Sequence, residues 1–235
     1  MPNLLAKIRK ELKDHINSNY QKNNQRFFKE KVLCYGVPVP IVKKLARKYF
    51  SDLKKQNKEK IFFLCEKLLR SDFNEEAFIA FDWSWRLKNC YGKEDFAIFQ
   101  RWVEKYINNW AKCDDFCTHS MGEFLQLYPQ YRKELKNWAK SENRWQRRAA
   151  AVSLILPIRQ GKFLQTVFSI SNILLQDEDD LVQKGYGWTL KQASHVYPEA
   201  VFDYVLNHKE KMPRTALRYA LEKFPPKLKK IALAK

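Results

Sequence analysis

Three stretches of the chain bring together residue types able to act on, or grip, a charged ligand. In 108–116, Asn-Asn-Trp-Ala-Lys-Cys-Asp-Asp-Phe, Trp110 and Asp114 lie four residues apart and share one face of a helix. A carboxylate beside an indole, with Lys112 between them in sequence, suits a cationic group. Each residue also has an ordinary reading, since tryptophans are largely buried in most folds and an acid such as Asp114 or Asp115 is commonly solvated or a cap. In 141–151, Arg144, Arg147 and Arg148 flank Trp145 just after a helix cap, and guanidinium forks match phosphate oxygens bidentately. In 182–191, Gly185 and Gly187 interrupt a helical pattern that also holds Lys184 and Trp188. Each glycine costs about 1 kcal/mol relative to alanine in a helix. Such a cost points to a close approach, of a neighbouring helix or of a ligand backbone.

Other chemistries lack their residues. The chain has no P-loop, dinucleotide-binding glycine fingerprint, zincin pair or nucleophile elbow. Cys113, Cys117 and His119 are the one metal-like group, and no second Cys or His pair lies near enough in sequence to complete four ligands. No metal and no cofactor are expected.

Helices must position these residues. Only six glycines occur and the dipeptides of tight hairpins are absent, which argues against a strand-rich fold. Apolar residues recur at three- and four-residue spacing instead, as in Ile61, Leu64, Cys65 and Leu68, in Phe96, Phe99, Trp102, Val103 and Tyr106, and in Leu164, Val167, Phe168, Ser171, Leu174 and Leu175. Asp72 with Glu75, and Asn143 with Gln146, have the spacing of capping boxes. Prolines at 129, 157, 198 and 213 fall beside helical runs, where a missing N–H does least harm.

A weak internal repeat runs through Ala77, Cys113, Ala149 and Gly185, each 36 residues after the last. That spacing accommodates one helical hairpin and predicts an all-α solenoid of HEAT-like repeats, a single domain over 1–235 whose concave wall would be basic. Lys and Arg total 44 against 26 Asp and Glu, a formal net charge of +18. Neutralising phosphates releases counterions, so nucleic acid is the expected partner. The five cysteines are an odd number lying mostly within helical patterns. With no secretory pattern at Met1–Lys10 and no run approaching ~18 apolar residues, a cytoplasmic chain with reduced thiols is expected, monomeric and with no membrane partner.

At the same three stretches the chain resembles the AlkD family of DNA glycosylases. The pattern is Trp-x-x-x-Asp (Trp110 to Asp114), Trp-x-x-Arg-Ala-Ala (Trp145 to Ala150) and Gln-Lys-x-x-Gly-Trp-x-Leu (Gln183 to Leu190). Arg26-Phe27-Phe28-Lys29, Leu33 to Pro38 and the segment around Arg214 extend the similarity over nearly the whole chain. The resemblance implies a HEAT-like superhelix acting on duplex DNA that contains purines alkylated at N3 or N7. It implies that Asp114 is the catalytic carboxylate, that Trp110 and Trp188 flank the damaged nucleotide, and that Arg148 holds the DNA backbone. Phe27, Lys112, Arg147, Lys184 and Arg214 complete the expected DNA contacts; at Phe27 the family pattern has a tyrosine, whose hydroxyl is missing here.

The register carries a warning. Relative to the repeat positions, Trp110 and Asp114 fall at minus three and plus one, whereas Arg148 and Trp188 fall at minus one and plus three. At about 100° per residue the two pairs face well apart. Alternatives to an enzyme are a non-catalytic helical scaffold that grips DNA or RNA, or a protein-binding solenoid.

Overall fold

A computed structural model describes residues 2–234, and among them every regular element is helical. The chain divides into two compact units, Met1–Asp115 and Phe116–Lys235.

The first unit contains α1 (Pro2–Asp14), α2 (Ser18–Gln25), α3 (Val39–Ser51), α4 (Lys58–Leu69), α5 (Asn74–Arg86), α6 (Asp95–Lys105) and the start of α7 (Trp110–Phe116). α5 packs on both α3 and α4. The apolar spacing of α4 and α6 gives each a buried face: Ile61, Leu64, Cys65 and Leu68 on α4, and Phe96, Phe99, Trp102 and Val103 on α6. Phe62 meets Trp102 edge-on, ring centroids 5.5 Å apart.

The second unit opens on a π-helical segment, Cys117–Met121, followed by α8 (Gly122–Leu127), α9 (Glu134–Ala139), α10 (Arg144–Val152), α11 (Ile155–Arg159) and α12 (Leu164–Ile173). It continues through α13 (Asp180–Ser194), α14 (Pro198–His208), α15 (Arg214–Leu221) and α16 (Pro226–Leu233). α13 lies between α10 and α15 and packs on both. Pro157 sits at the third position of α11, inside the first turn, where an absent N–H breaks no helical bond.

The 36-residue repeat is real in three dimensions within each unit. Ala77, Cys113 and Ala149 are at most 1% exposed and Gly185 is buried. Hydrogen bonds join residues one period apart. In the first unit Trp83 Nε1 donates to the Ala46 carbonyl (2.9 Å, 37 residues apart) and Arg101 to Glu66 (2.9 Å, 35 apart). In the second, Thr189 Oγ1 donates to the Ala151 carbonyl (3.0 Å, 38 apart) and the Tyr197 hydroxyl to that of Gly161 (2.6 Å, 36 apart). Equivalent positions of successive hairpins are therefore neighbours, as stacked helical repeats require.

Of the two expected capping boxes, one is corrected and one is half right. Asp72 adopts φ +64° and does not cap α5, whose cap residue is Phe73 with no side-chain bond. Its carboxylate serves a buried lysine instead, described below, because an uncompensated interior ammonium costs more than the ~1 kcal/mol of a lost cap. Asn143 does cap α10, accepting from Trp145 N at 2.9 Å. Gln146 does not reach back to it: the Asn143 N–H donates to Ser141 Oγ at 3.1 Å, and the Ser141 hydroxyl donates to Gln146.

Candidate functional site

In the first unit the candidate residues gather at the start of α7. Asn109, 1% exposed, accepts the Lys112 N–H at 3.0 Å and so caps the helix. Trp110 and Asp114 follow one turn apart, both half-buried. The Trp110 indole donates to the Phe27 carbonyl at 3.1 Å and its ring stacks on Phe28, centroids 5.1 Å apart and planes 19° apart. The Phe27 ring itself is 72% exposed, so this segment presents one aromatic to solvent and uses its neighbour to hold the tryptophan.

That segment is fastened by Gln21, Gln25 and Glu76, to which the sequence assigned no role, and by Glu75, expected only in a capping box. Gln25 Nε2 donates to the Glu30 carbonyl at 2.9 Å, and Gln21 Nε2 to that of Cys34 at 2.7 Å. Glu75 accepts the backbone N–H groups of Tyr35, Gly36 and Val37 at 3.0, 2.8 and 3.1 Å. Gly36 stands at φ +85° with no room for a Cβ against Gln21, so only glycine completes the turn. Glu76, fully buried, accepts the Tyr35 hydroxyl at 2.7 Å and the Arg9 guanidinium at 2.9 Å. Burial, and then the Glu76 carboxylate, push the Tyr35 phenol far above its ordinary value. The available signal was two consecutive acids in the first turn of a helix, where the backbone N–H groups favour negative charge.

The expectation that Lys112 contacts DNA is corrected by its burial. The side chain is 1% exposed, and its ammonium donates to Asp72 Oδ1 at 2.5 Å, the Asp72 carbonyl at 3.0 Å and Asn108 Oδ1 at 3.0 Å. Three acceptors use all three of its N–H bonds.

In the second unit the arginines of α10 are engaged by α13 and the segment leading into it, and Lys184 is engaged within α13. Arg144 pairs with Asp179 at 3.1 Å and lies over the Trp145 ring, 4.6 Å from its centroid. Arg147 pairs with Asp177 at 2.7 Å and donates to the Ser141 carbonyl at 3.0 Å. Arg148 is 5% exposed and donates to the Leu181 carbonyl, so in this conformation it is a fastener between α10 and α13 rather than an open phosphate ligand. Lys184, half-buried, pairs with Asp180 at 3.0 Å.

Both glycines of α13 admit a neighbouring helix. A Cβ on Gly185 would stand 3.2 Å from Cγ of Arg148, and one on Gly187 would stand 2.8 Å from the Ala216 carbonyl oxygen of α15. Trp188, on the same helix, is half-buried. Arg214, exposed, donates to the Leu233 carbonyl at 3.1 Å beside Lys209 and Glu210 in a cleft of about 330 Å³. Cys113 and Cys117 are fully buried and belong to the core.

The first unit thus offers a carboxylate one turn from a fastened indole, next to an exposed phenylalanine. The second offers a half-buried indole and cations already engaged by acids. No helix of the described residues is long and apolar enough to cross a membrane.

The family model described as DNA alkylation repair enzyme matches residues 8–224. A structure titled "Predicted DNA alkylation repair enzyme from Enterococcus faecalis" superposes with a TM-score of 0.79 at 19% identity, over 90% of this chain and 98% of that one. AlkD2 from Streptococcus mutans superposes with a TM-score of 0.61 at 23% identity, over 79% and 90%. At those identities the structural likeness speaks for the fold. No curated protein matches the chain.

Proposed function

The chain belongs to the DNA alkylation repair enzyme family, and we propose that it hydrolyses the N-glycosidic bond of purines alkylated at N3 or N7 in duplex DNA. The observation that carries this reading is the Trp110–Asp114 pair, a carboxylate one helical turn from an indole whose N–H is already spent on the Phe27 carbonyl. With its N–H committed to protein and one face stacked on Phe28, the indole keeps its other π face for a ligand, and a π face attracts cations.

Alkylation at N3 or N7 makes the purine cationic and hence a good leaving group without protonation. As the C–N bond breaks, its electron pair neutralises the purine and positive charge moves to the deoxyribose, as in glycoside hydrolysis. Asp114 stabilises that oxocarbenium-like sugar and orients a water, whose oxygen forms the new bond to the anomeric carbon and whose proton is released. The face of Trp110 adds about 0.5–2 kcal/mol where desolvated. Arg214, and Arg147 and Lys184 once they exchange carboxylate for phosphate, supply backbone contacts. Arg148 ties α10 to α13. The scheme uses no metal or nucleotide cofactor, and uncharged lesions react poorly in it.

The test is release of 7-methylguanine and 3-methyladenine from methylated duplex by the purified chain and by Asp114→Asn. Release by wild type and its loss in the variant is the expected result; equal release removes Asp114 from the mechanism. A second reading, a scaffold that grips nucleic acid without chemistry, is favoured by the +18 charge and predicts salt-sensitive binding without base release.

A further inference from the structure

α7 carries both Trp110 and Asp114, and it passes directly into the π-helical segment Cys117–Met121, so its start is the end left to be fixed by side chains. Its first turn is tied to the first turn of α5, one hairpin earlier, by a closed polar cluster. Asn109 Nδ2 donates to Asn74 Oδ1 at 2.9 Å, and Asn108 Nδ2 donates to Asp72 Oδ1 at 2.7 Å. The buried Lys112 ammonium closes the ring through Asp72 and Asn108, as described above. Asp72 is held at φ +64°, a conformation that a non-glycine residue keeps only where its surroundings over-determine it.

An apolar pair of similar volume often stabilises a fold as well as a buried ion pair does. What the ion pair adds is direction: a lysine with three fixed acceptors allows its helix one orientation. Burial drives the Lys112 ammonium below its ordinary pKa, and Asp72 offsets only part of that, so the charge is kept there at a cost.

From this geometry we infer that Asp72 and Lys112 are positioning residues, which act through α7 to set the direction of the Trp110 indole and the Asp114 carboxylate. Neither touches substrate. The effect on rate rests on the glycosylase reading; the effect on Trp110 does not.

Two variants test it. Asp72→Asn combined with Lys112→Met removes both charges together, and Asn108→Ala removes three hydrogen bonds of the cluster, to Asp72, Lys112 and Asn109, and no charge. Each is compared with wild type for single-turnover 7-methylguanine release, for affinity toward the same methylated duplex, and for the ¹⁵N–¹H resonance of the Trp110 indole, assigned with Trp110→Phe. A displacement of about 1 Å at a reacting group is worth up to ~10²-fold in rate, so the double variant is expected to slow release by about 10- to 100-fold and Asn108→Ala by about 3- to 10-fold. Duplex affinity stays within about threefold, because the loss falls on the chemical step. The indole resonance moves and its proton exchanges faster as the bond to the Phe27 carbonyl loosens. Release within about twofold of wild type with an unmoved indole resonance overturns the inference, and so does a loss of affinity equal to the loss of rate. If the double variant does not fold, Asn108→Ala decides by the same criteria. Should wild type release no base, the glycosylase reading fails and the indole resonance alone decides the positioning role.

Discussion

Lys112 in the first unit and Arg148 in the second stand at the same place in the 36-residue register, one residue before a fully buried small side chain, and both are drawn inside. Lys112 meets a carboxylate across the hairpin, whereas Arg148 meets the Leu181 carbonyl and lies against Gly185. The positions three before and one after the register residue behave differently again. Around Cys113 they are Trp110 and Asp114, both half-buried; around Ala77 they are the buried Asn74 and the half-buried Phe78, while in the second unit they are Gln146, Ala150, Val182 and Tyr186, all buried. A column of the repeat that is accessible around Cys113 is core around Ala149 and Gly185. The lesson is that a shared period fixes which residues stack, and packing around each helix then decides which of them stay accessible.

The largest expected effect breaks the comparison at its functional end. Asp114→Asn keeps size but removes the charge and one acceptor oxygen, and methylpurine release is expected to fall by about 10²–10³-fold with melting temperature little changed. Gln146→Ala, at a corresponding register position in the second unit, serves as the matched control and leaves release within about threefold.

Next come the glycines of α13. Gly187→Ala drives a Cβ into the Ala216 backbone and is expected to destabilise by about 1–3 kcal/mol in denaturant melts, despite the better helix propensity of alanine. A Cβ on Gly185 meets Arg148 Cγ at 3.2 Å and Val152 Cγ2 at 3.6 Å, looser than the backbone contacts at Gly187, and Gly185→Ala is expected to destabilise less than Gly187→Ala does.

A smaller effect separates buried from exposed cations. Arg214→Ala is expected to flatten the dependence of duplex affinity on log salt by about one unit, as the loss of one phosphate contact does. Arg148→Met lowers stability and leaves that slope alone. A slope that changes with Arg148 and not with Arg214 would reverse the assignment.

The smallest effect is one of pH. Burial holds the Lys112 pKa below its unfolded value, so the fold binds this proton less tightly than the unfolded chain does. The cost of the buried charge is present at neutral pH and is relieved as pH rises through the folded pKa toward about 10.4. Relative to Lys112→Met, the wild type should therefore gain stability across that window. Arg148→Met should show no such divergence, because arginine keeps its proton there. Parallel melting curves for wild type and Lys112→Met across the window would contradict the burial of the ammonium.

Much of the fold was legible because it rests on local periodicity. The spacing of Ile61, Leu64, Cys65 and Leu68 could bury only as a helix, and those residues are buried on α4. The 36-residue spacing of small residues marked sites where helices of successive hairpins meet. Asn143 declared the start of α10 through a bond only two residues long in sequence. The capping role given to Asp72 failed for the opposite reason: its partner Lys112 lies 40 residues away, and nothing local records that a buried ammonium will need that carboxylate.

Composition and spacing by themselves determined that the chain is all-helical, repetitive at 36 residues and rich in cations, because helix propensity, apolar period and net charge are properties of short windows or of simple counts. Tertiary structure alone decided which cations are available and which are consumed. Arg144, Arg147, Arg148, Lys112 and Lys184 read alike as basic residues near an aromatic, and each is engaged by an acid or a carbonyl brought from elsewhere in the chain or from its own helix. Charge is carried by the residue, but its accessibility depends on what folds against it, and that is settled by contacts between distant parts of the sequence.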